Sequence, residues 1–516
     1  MVAGTTSDAG KSVVTAGLCR WLARQGIKAA PFKAQNMSLN SFVTADGGEI
    51  GRAQAMQAAA AGLAPEAAMN PVLLKPGGNG TSQVMLLGEP VAEAGALDYR
   101  ELKPRLNQAV LGCLAELRDR FDVVICEGAG SPAEINLADR DIANMGLARS
   151  AGLPVIVVGD IDRGGVFAAM FGTLALLSRE DQALVGGFLL NKFRGEARLL
   201  EPGLDMLHGL TGRPVLGVLP WTGGLWLDAE DSLGLGAGPA AGPAGGSGAI
   251  GGAGVSPGQQ SVPPGQHRSL PAAGQLLRIA VIRLPHISNF TDADPLAAEP
   301  GVAVRFTTAP AEVIDADLAI LPGSRATVAD LAWLRERGLA DAVTARAAAG
   351  RPVLGICGGY QMLALEIRDE VESRAGLVPG LGLLPARVRF GPRKILRRCR
   401  DSGLGEQVTG YEIHHGVTEA AGGEQFPGGC VAGAVYGSSW HGLLESDGFR
   451  RAFLRQAAAA AGREFTPVPV SFAAARERQL DLLADLIEAN ADTGALCTLI
   501  EQGPPAGLPF VPPGAP

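Results

Sequence analysis

Short apolar runs rich in β-branched residues recur along the chain and are separated by helix-like stretches. In the first half the runs are Asp122-Val-Val-Ile-Cys126, Leu153-Pro-Val-Ile-Val-Val158, Leu184-Val-Gly-Gly-Phe-Leu-Leu190 and Pro214-Val-Leu-Gly-Val218. Helical patterns lie between them, as at Lys11–Gln25 and Leu102–Arg120. The second half repeats the signal with Leu277-Arg-Ile-Ala-Val-Ile282, Ala316-Asp-Leu-Ala-Ile-Leu321 and Pro352-Val-Leu-Gly-Ile356, and a final helix is expected from about Ala473 to Ala489. Strands alternating with helices imply a parallel sheet covered on both faces. The fold class read from this is α/β, with two doubly wound, mainly parallel-sheet domains.

Composition sets the boundaries. The 516 residues include 72 Gly and 35 Pro, and between Gly234 and Gly274 there are 13 Gly and 6 Pro in 41 residues. So little apolar surface cannot offset the entropy of ordering, so this stretch reads as a flexible linker. The expected layout is therefore a first domain at 1–232, a disordered Gly/Pro/Ala-rich linker at 233–275, a second domain at 276–502 and a disordered tail at 503–516. A formal charge of −8 argues against a nucleic-acid footprint. No apolar run approaches the length that spans a bilayer, and Met1-Val-Ala-Gly4 lacks a signal-peptide pattern. Seven cysteines without a C-x-x-C pair argue against a disulfide framework or a Cys-rich zinc site. A cytoplasmic enzyme is expected, with no nucleic-acid or membrane partner.

Gly4-Thr5-Thr6-Ser7-Asp8-Ala9-Gly10-Lys11-Ser12 reads as a phosphate loop with one residue more than the common spacing between its glycines. Backbone N–H groups at the start of the following helix would cradle phosphates, and Lys11 would neutralise them. The Ser12 hydroxyl would ligate Mg²⁺. A second oxygen ligand is expected from a carboxylate at a strand end. Glu127, directly after Asp122–Cys126, is the first candidate, and Glu49, with Asp46 behind it, is the second. Only Met1–Ala3 precede the loop, so its strand must be very short or the start incomplete.

Open α/β sheets bind ligands at the carboxyl ends of their strands. Lys33, Gln35 and Asn36, the cluster Ser131, Glu134 and Asn136, and the pair Asp160 and Asp162 all follow strand ends and are candidate substrate contacts. Asn191, after the strand ending at Leu190, is placed to read an adenine edge, or to close a turn.

In the second half, Gly355-Ile-Cys357-Gly358-Gly359 puts a cysteine between a strand and a helix, the elbow that exposes a nucleophile to backbone N–H donors. Gly323, in Leu321-Pro-Gly-Ser324, and Gly358 are candidates for an oxyanion hole. His441 is the expected base, with His414 and His415 as runners-up. Seven basic residues between Arg387 and Arg400 read either as a solvated edge or as an attractor of anionic substrate.

Several long strings together resemble the glutamine-dependent cobyric acid synthase family. They are the phosphate loop, Lys33-Ala-Gln-Asn-Met-Ser-Leu-Asn-Ser41, Glu127-Gly-Ala-Gly-Ser-Pro-Ala-Glu-Ile-Asn136, Asp141-Ile-Ala-Asn-Met-Gly146 and Asp160-Ile-Asp-Arg-Gly-Gly-Val-Phe167. In the second half they are Ile287-Ser-Asn-Phe-Thr-Asp292, Leu354-Gly-Ile-Cys-Gly-Gly-Tyr-Gln-Met362 and Gly410-Tyr-Glu-Ile-His414. The first half also looks like the dethiobiotin synthetase fold, and the second like a class I glutamine amidotransferase. The resemblance implies glutamine hydrolysis at Cys357 with His441 moving protons. It further implies ATP-dependent activation of a corrinoid carboxylate, with L-glutamine as nitrogen donor and adenosylcobyrinic acid a,c-diamide as substrate. Class I glutaminases carry an acid two positions after the histidine, and here Leu443 stands there, so nothing nearby orients His441. Two readings stand beside this one: a cobyrinic acid a,c-diamide synthase, and a non-catalytic nucleotide switch of the partitioning-ATPase type.

Overall fold

The computed structural model describes residues 1–77, 81–225 and 276–513. The predicted linker at 233–275 lies outside the described residues. Both expected α/β units are present. In the first, Val2–Gly4, Val155–Asp160, Val185–Phe193 and Val215–Pro220 form a parallel sheet in that order. The parallel pair Ala29–Phe32 and Val123–Cys126 joins its free edge through a bridge from Val2 to Glu127. The strand before the phosphate loop is thus three residues long and central. Two apolar clusters cover its faces, one including Phe32, Leu114 and Phe188, the other Val14, Trp21 and Leu189.

The main sheet of the second unit has seven strands. Val302–Thr307, Leu277–Ile282, Leu318–Leu321, Val353–Ile356 and Val435–Ser438 run parallel, and two antiparallel strands complete the edge. A long hairpin, Ala386–Gly403 with Glu406–Ala420, leaves this domain with one irregularity between Phe390 and Ile395. It carries the basic run of the sequence. Its Lys394 turns inward, where its side chain is 5% exposed, so the solvated-edge reading fails there.

The C-terminal part departs from the expected division. The helix Phe472–Asn490 packs on the helix Lys11–Arg24 of the first domain. A Cβ at Gly17 would lie 2.9 Å from Ile487 Cγ1. Arg20 pairs with Glu477 and Asp481 at 2.8 and 2.9 Å, and Arg24 with Asp485 at 2.6 Å. The chain then bonds to the last sheet strand, Asp492 N donating to Leu216 O. Residues 472–502 therefore belong with the first domain, which closes its open helical face with them.

The tail is not disordered, contrary to expectation, through residue 513. Val511 is buried, and Gln182 exchanges hydrogen bonds with its backbone in both directions at 2.8 Å. The buried Arg213 guanidinium donates to Pro509 O, and Arg179 lies 4.1 Å over the Phe510 ring. Prolines lacking N–H groups make few demands on partners, and buried polar groups waiting at 182 and 213 fix the rest. Deleting residues 503–516 leaves Gln182 and Arg213 short of partners at about 1–3 kcal/mol for each such group. The expected outcome is a clearly lowered denaturation midpoint by circular dichroism; an unchanged midpoint contradicts the packing.

Candidate active site

Two sites form, one in each domain. In the second, Cys357 follows the strand Val353–Ile356 and caps the helix Gly358–Leu363 with φ 50° and ψ −107°. Such a conformation costs a non-glycine residue about 1–3 kcal/mol and persists only where surroundings enforce it. They do so here: a Cβ at Gly359 would fall 1.8 Å from Leu321 O, so the helix can start only against that strand. The thiol is buried, with Sγ 3.8 Å from Ile413 O. Both glycines expected at an oxyanion hole border it. A Cβ on Gly323 would sit 2.9 Å from His441 Cε1, and one on Gly358 2.7 Å from Ser324 N.

His441 lies near enough to that thiol for the two to interact electrostatically. Its Nδ1 lies 2.6 Å from Asp292 Oδ2, whose other oxygen accepts Gly442 N at 2.8 Å. Burial opposes charge on this imidazole, but Asp292 and Cys357 outweigh it and raise the pKa to about 10. Asp292 is the orienting acid that the sequence reading did not find. It stands in a string already singled out, yet 149 residues before His441, and no local spacing connects them. His414 lines the cavity beside Cys357, while His415 contacts Gln83 Nε2 at 3.3 Å, so neither takes the place beside Asp292.

The phosphate loop in the first domain is collapsed around its lysine. Lys11 Nζ donates to Thr6 O, Ser7 O and Gly130 O at 2.9, 3.2 and 2.9 Å. Three carbonyl oxygens thus hold the ammonium at the start of the helix Lys11–Arg24. Asn191 does not present its amide to a base. Its Nδ2 donates to Ala9 O at 3.0 Å and its Oδ1 accepts Lys192 N, so it braces the loop. Gly10 at φ +100° has that amide 2.0 Å from where a Cβ would be.

Glu127 is wholly buried and receives Ser12 Oγ at 2.9 Å, Lys33 Nζ at 3.0 Å and Gln57 Nε2 at 2.5 Å. Burial alone would push its carboxyl up; Lys33 and these hydrogen bonds hold it down. Hydroxyl and carboxylate oxygens are the donors Mg²⁺ selects, with water and phosphate completing its shell. Ser12 and Glu127 fit that ion. Glu49 does not. Lys75 lies 2.5 Å from its Oε1 and Lys394 2.5 Å from its Oε2, and two ammoniums leave no charge for a divalent cation.

The substrate candidates divide. Gln35, Ser131 and Glu134 line one cavity with Lys103 and Asn144. Lys33 is spent on Glu127, and Asn36 donates to Gln54 Oε1 at 2.7 Å. Asn136 is exposed on the turn after Glu134. Asp160 and Asp162 lie elsewhere: Asp160 pairs with Lys192, which also donates to Asp8 O, and Asp162 with Arg194. Asp160 thus borders the phosphate loop through Lys192, and neither acid lines the Gln35 cavity.

The domains meet over a polar seam. Asn40 Oδ1 accepts Phe290 N at 3.1 Å, and Asn289 Oδ1 accepts Ser41 N at 3.0 Å. Arg52 reaches across to Glu445 at 2.5 Å and to the Tyr411 hydroxyl at 3.2 Å. The cavity at Cys357 is walled from both sides, by Lys75 and Gln83 of the first domain and Lys394 and His414 of the second.

Comparison with known proteins gives the same division. Residues 1–233 match the CobQ/CobB/MinD/ParA nucleotide binding domain, and residues 278–449 the CobB/CobQ-like glutamine amidotransferase domain. The chain is thus a glutamine amidotransferase of the carbon–nitrogen ligase class. It is 64% identical to the cobyric acid synthase of Streptomyces coelicolor, over 100% of this chain and 99% of that one. Identity is 62% to the Streptomyces avermitilis enzyme and 63% to the Frankia casuarinae enzyme, with the same coverage. The chain belongs to the cobyric acid synthase family.

Asp292→Asn is expected to lower glutamine hydrolysis by roughly 10²–10⁴-fold, as loss of an orienting acid does in comparable triads, with thiol alkylation as the check that the elbow persists. Because the folded imidazole titrates near 10, its ion pair stabilises fully below about pH 6.5 and the benefit fades as pH rises through 10. Urea denaturation should therefore show the wild-type advantage over Asp292→Asn shrinking from pH 6 to pH 10. A constant gap contradicts the assignment.

Proposed function

We propose that this chain amidates the b, d, e and g side-chain carboxylates of adenosylcobyrinic acid a,c-diamide, using ATP and glutamine, to give adenosylcobyric acid. The observation that carries the reading is the pairing of a cysteine elbow with a phosphate loop in one chain, under a family identity that covers its whole length.

Cys357 attacks the side-chain amide carbon of glutamine. His441 already holds the proton of the thiol–imidazole pair and delivers it to the leaving nitrogen, so that ammonia departs and a glutamyl thioester remains. Asp292 holds the ring and stabilises its charged form. Backbone N–H groups near Gly323 and Gly358 meet the developing oxyanion. Water then cleaves the thioester with His441 again in the proton path.

In the first domain Thr5–Ala9 and Gly10 cradle the ATP phosphates, and Lys11 leaves its carbonyl cage to neutralise them. Ser12 and Glu127 would hold Mg²⁺, which supplies charge neutralisation across the phosphates. Lys33, held on Glu127 beside that site, is the ammonium placed to meet the substrate carboxylate. Gln35, Ser131 and Glu134 border the cavity where a substrate side chain would lie. Phosphorylation of that carboxylate makes an acyl phosphate, and ammonia displaces phosphate to leave the amide.

The triad favours this over a nucleotide switch, which has no use for a strained cysteine. Cys357→Ser is expected to abolish amidation from glutamine while leaving it intact with ammonium salts. Lys11→Ala is expected to stop amidation from either nitrogen source. Loss from both sources in Cys357→Ser, or full activity in Lys11→Ala, overturns the division of labour.

A further inference from the structure

The cavity beside Cys357 carries two opposite charges that the chemistry above does not use. Arg325, directly after the strand Gly323–Ser324, and Glu372, in the loop after the strand Glu366–Asp369, both line it, and their side chains are 11% and 19% exposed. They pair at 2.8 Å through Arg325 Nη1, and Nη2 reaches Glu93 of the first domain at 3.4 Å. Arg325 Nε is buried without a hydrogen-bond partner among the described residues. Next to them is His414, its side chain 6% exposed; its Nε2 lies 3.8 Å from Glu412 Oε1, and neither ring nitrogen makes a hydrogen bond among those residues.

Buried donors left unmatched are rare and costly in native proteins. Here they share one cavity with the nucleophile, which makes a polar ligand the economical explanation. Burial also pushes the Glu372 carboxyl up against the pull of Arg325, so a further cation beside this ion pair would be favoured. A buried ion pair that lines the nucleophile's cavity, with one donor of its cation idle, describes a receptor for a zwitterion.

We infer that Arg325 and Glu372 read the α-carboxylate and α-ammonium of glutamine, with His414 completing the polar wall, while the side-chain amide reaches Cys357. Arg325 suits this task because its planar fork binds carboxylate in two parallel bonds. The inference rests on the glutaminase reading of Cys357 and adds to it the groups that select an α-amino acid over other primary amides. Arg325 is a positioning residue here; it touches substrate away from the reacting atoms.

Hydrolysis of three amides tests it: L-glutamine, 4-aminobutanamide, which lacks the α-carboxylate, and glutaramate, which lacks the α-amino group. The wild-type chain should favour glutamine in kcat/KM by on the order of 10²-fold or more over each. In Arg325→Met the preference over 4-aminobutanamide should collapse through loss of glutamine turnover, with 4-aminobutanamide little changed. In Glu372→Gln the preference over glutaramate should collapse instead. Amidation with ammonium salts and alkylation of Cys357 show that each variant is folded. Should Arg325→Met fail that check, Glu372→Gln, which keeps side-chain volume, decides alone. Wild-type discrimination in folded variants overturns the inference. Glutamine hydrolysis surviving in Cys357→Ser overturns the reading beneath it, and the two failures are thereby separate.

Discussion

Glu49 is a wholly buried carboxylate held between an ammonium of its own domain and one from the other. Burial alone would push its carboxyl up, yet Lys394 and Lys75 hold it well below the usual range. Burial in turn draws Lys394 down to about 8 against the pull of Glu49. Taking charges out of water costs several kcal/mol per ion, on the order of what the pairing returns, and breaking such a pair costs about 3–5 kcal/mol. The cluster therefore contributes little net stability. What it does is penalise separation, because undocking strands a carboxylate with one lysine. It fixes the hairpin of the second domain on the first, and with it Ile413 and His414 beside Cys357.

The same seam joins docking to chemistry. Asn289 accepts a backbone N–H from Ser41, Phe290 donates to Asn40, and two residues further on Asp292 holds His441. One short turn thus anchors the domains and orients the proposed base. Tyr411 works from the other side: it bridges backbone to backbone with His441 and hydrogen-bonds Ser41 O at 3.3 Å. The residues that flank His441 are thus also residues that hold the two domains together. Arg325, touching both Glu372 and Glu93, adds a third link between them.

How much of this was legible in the sequence follows from the range of each interaction. Strand runs, the phosphate loop and the cysteine elbow are local, since glycines at 10 and 359 and a helix start declare themselves within a few residues. Contacts between distant segments leave no such trace. Asp292 is invisible as a partner of His441, because nothing in spacing predicts which loops converge. Helix Phe472–Asn490 shows an apolar stripe of Leu480, Leu483 and Ile487 but not the sheet it covers. Glu49 and Asn191 have the right chemistry for a cation and a base edge, and tertiary neighbours claimed them first. Lys394, buried within a run of surface cations, is the same lesson for a positive charge.

The proposed activity is the transfer of glutamine nitrogen to corrinoid carboxylates by one chain. It is tested most directly by mass spectrometry of a reaction containing the purified chain, ATP, Mg²⁺, glutamine and adenosylcobyrinic acid a,c-diamide. Four successive replacements of OH by NH₂ are expected, with the nitrogen drawn from amide-labelled glutamine. A substrate whose mass does not change, under conditions where glutamine is hydrolysed, would contradict it.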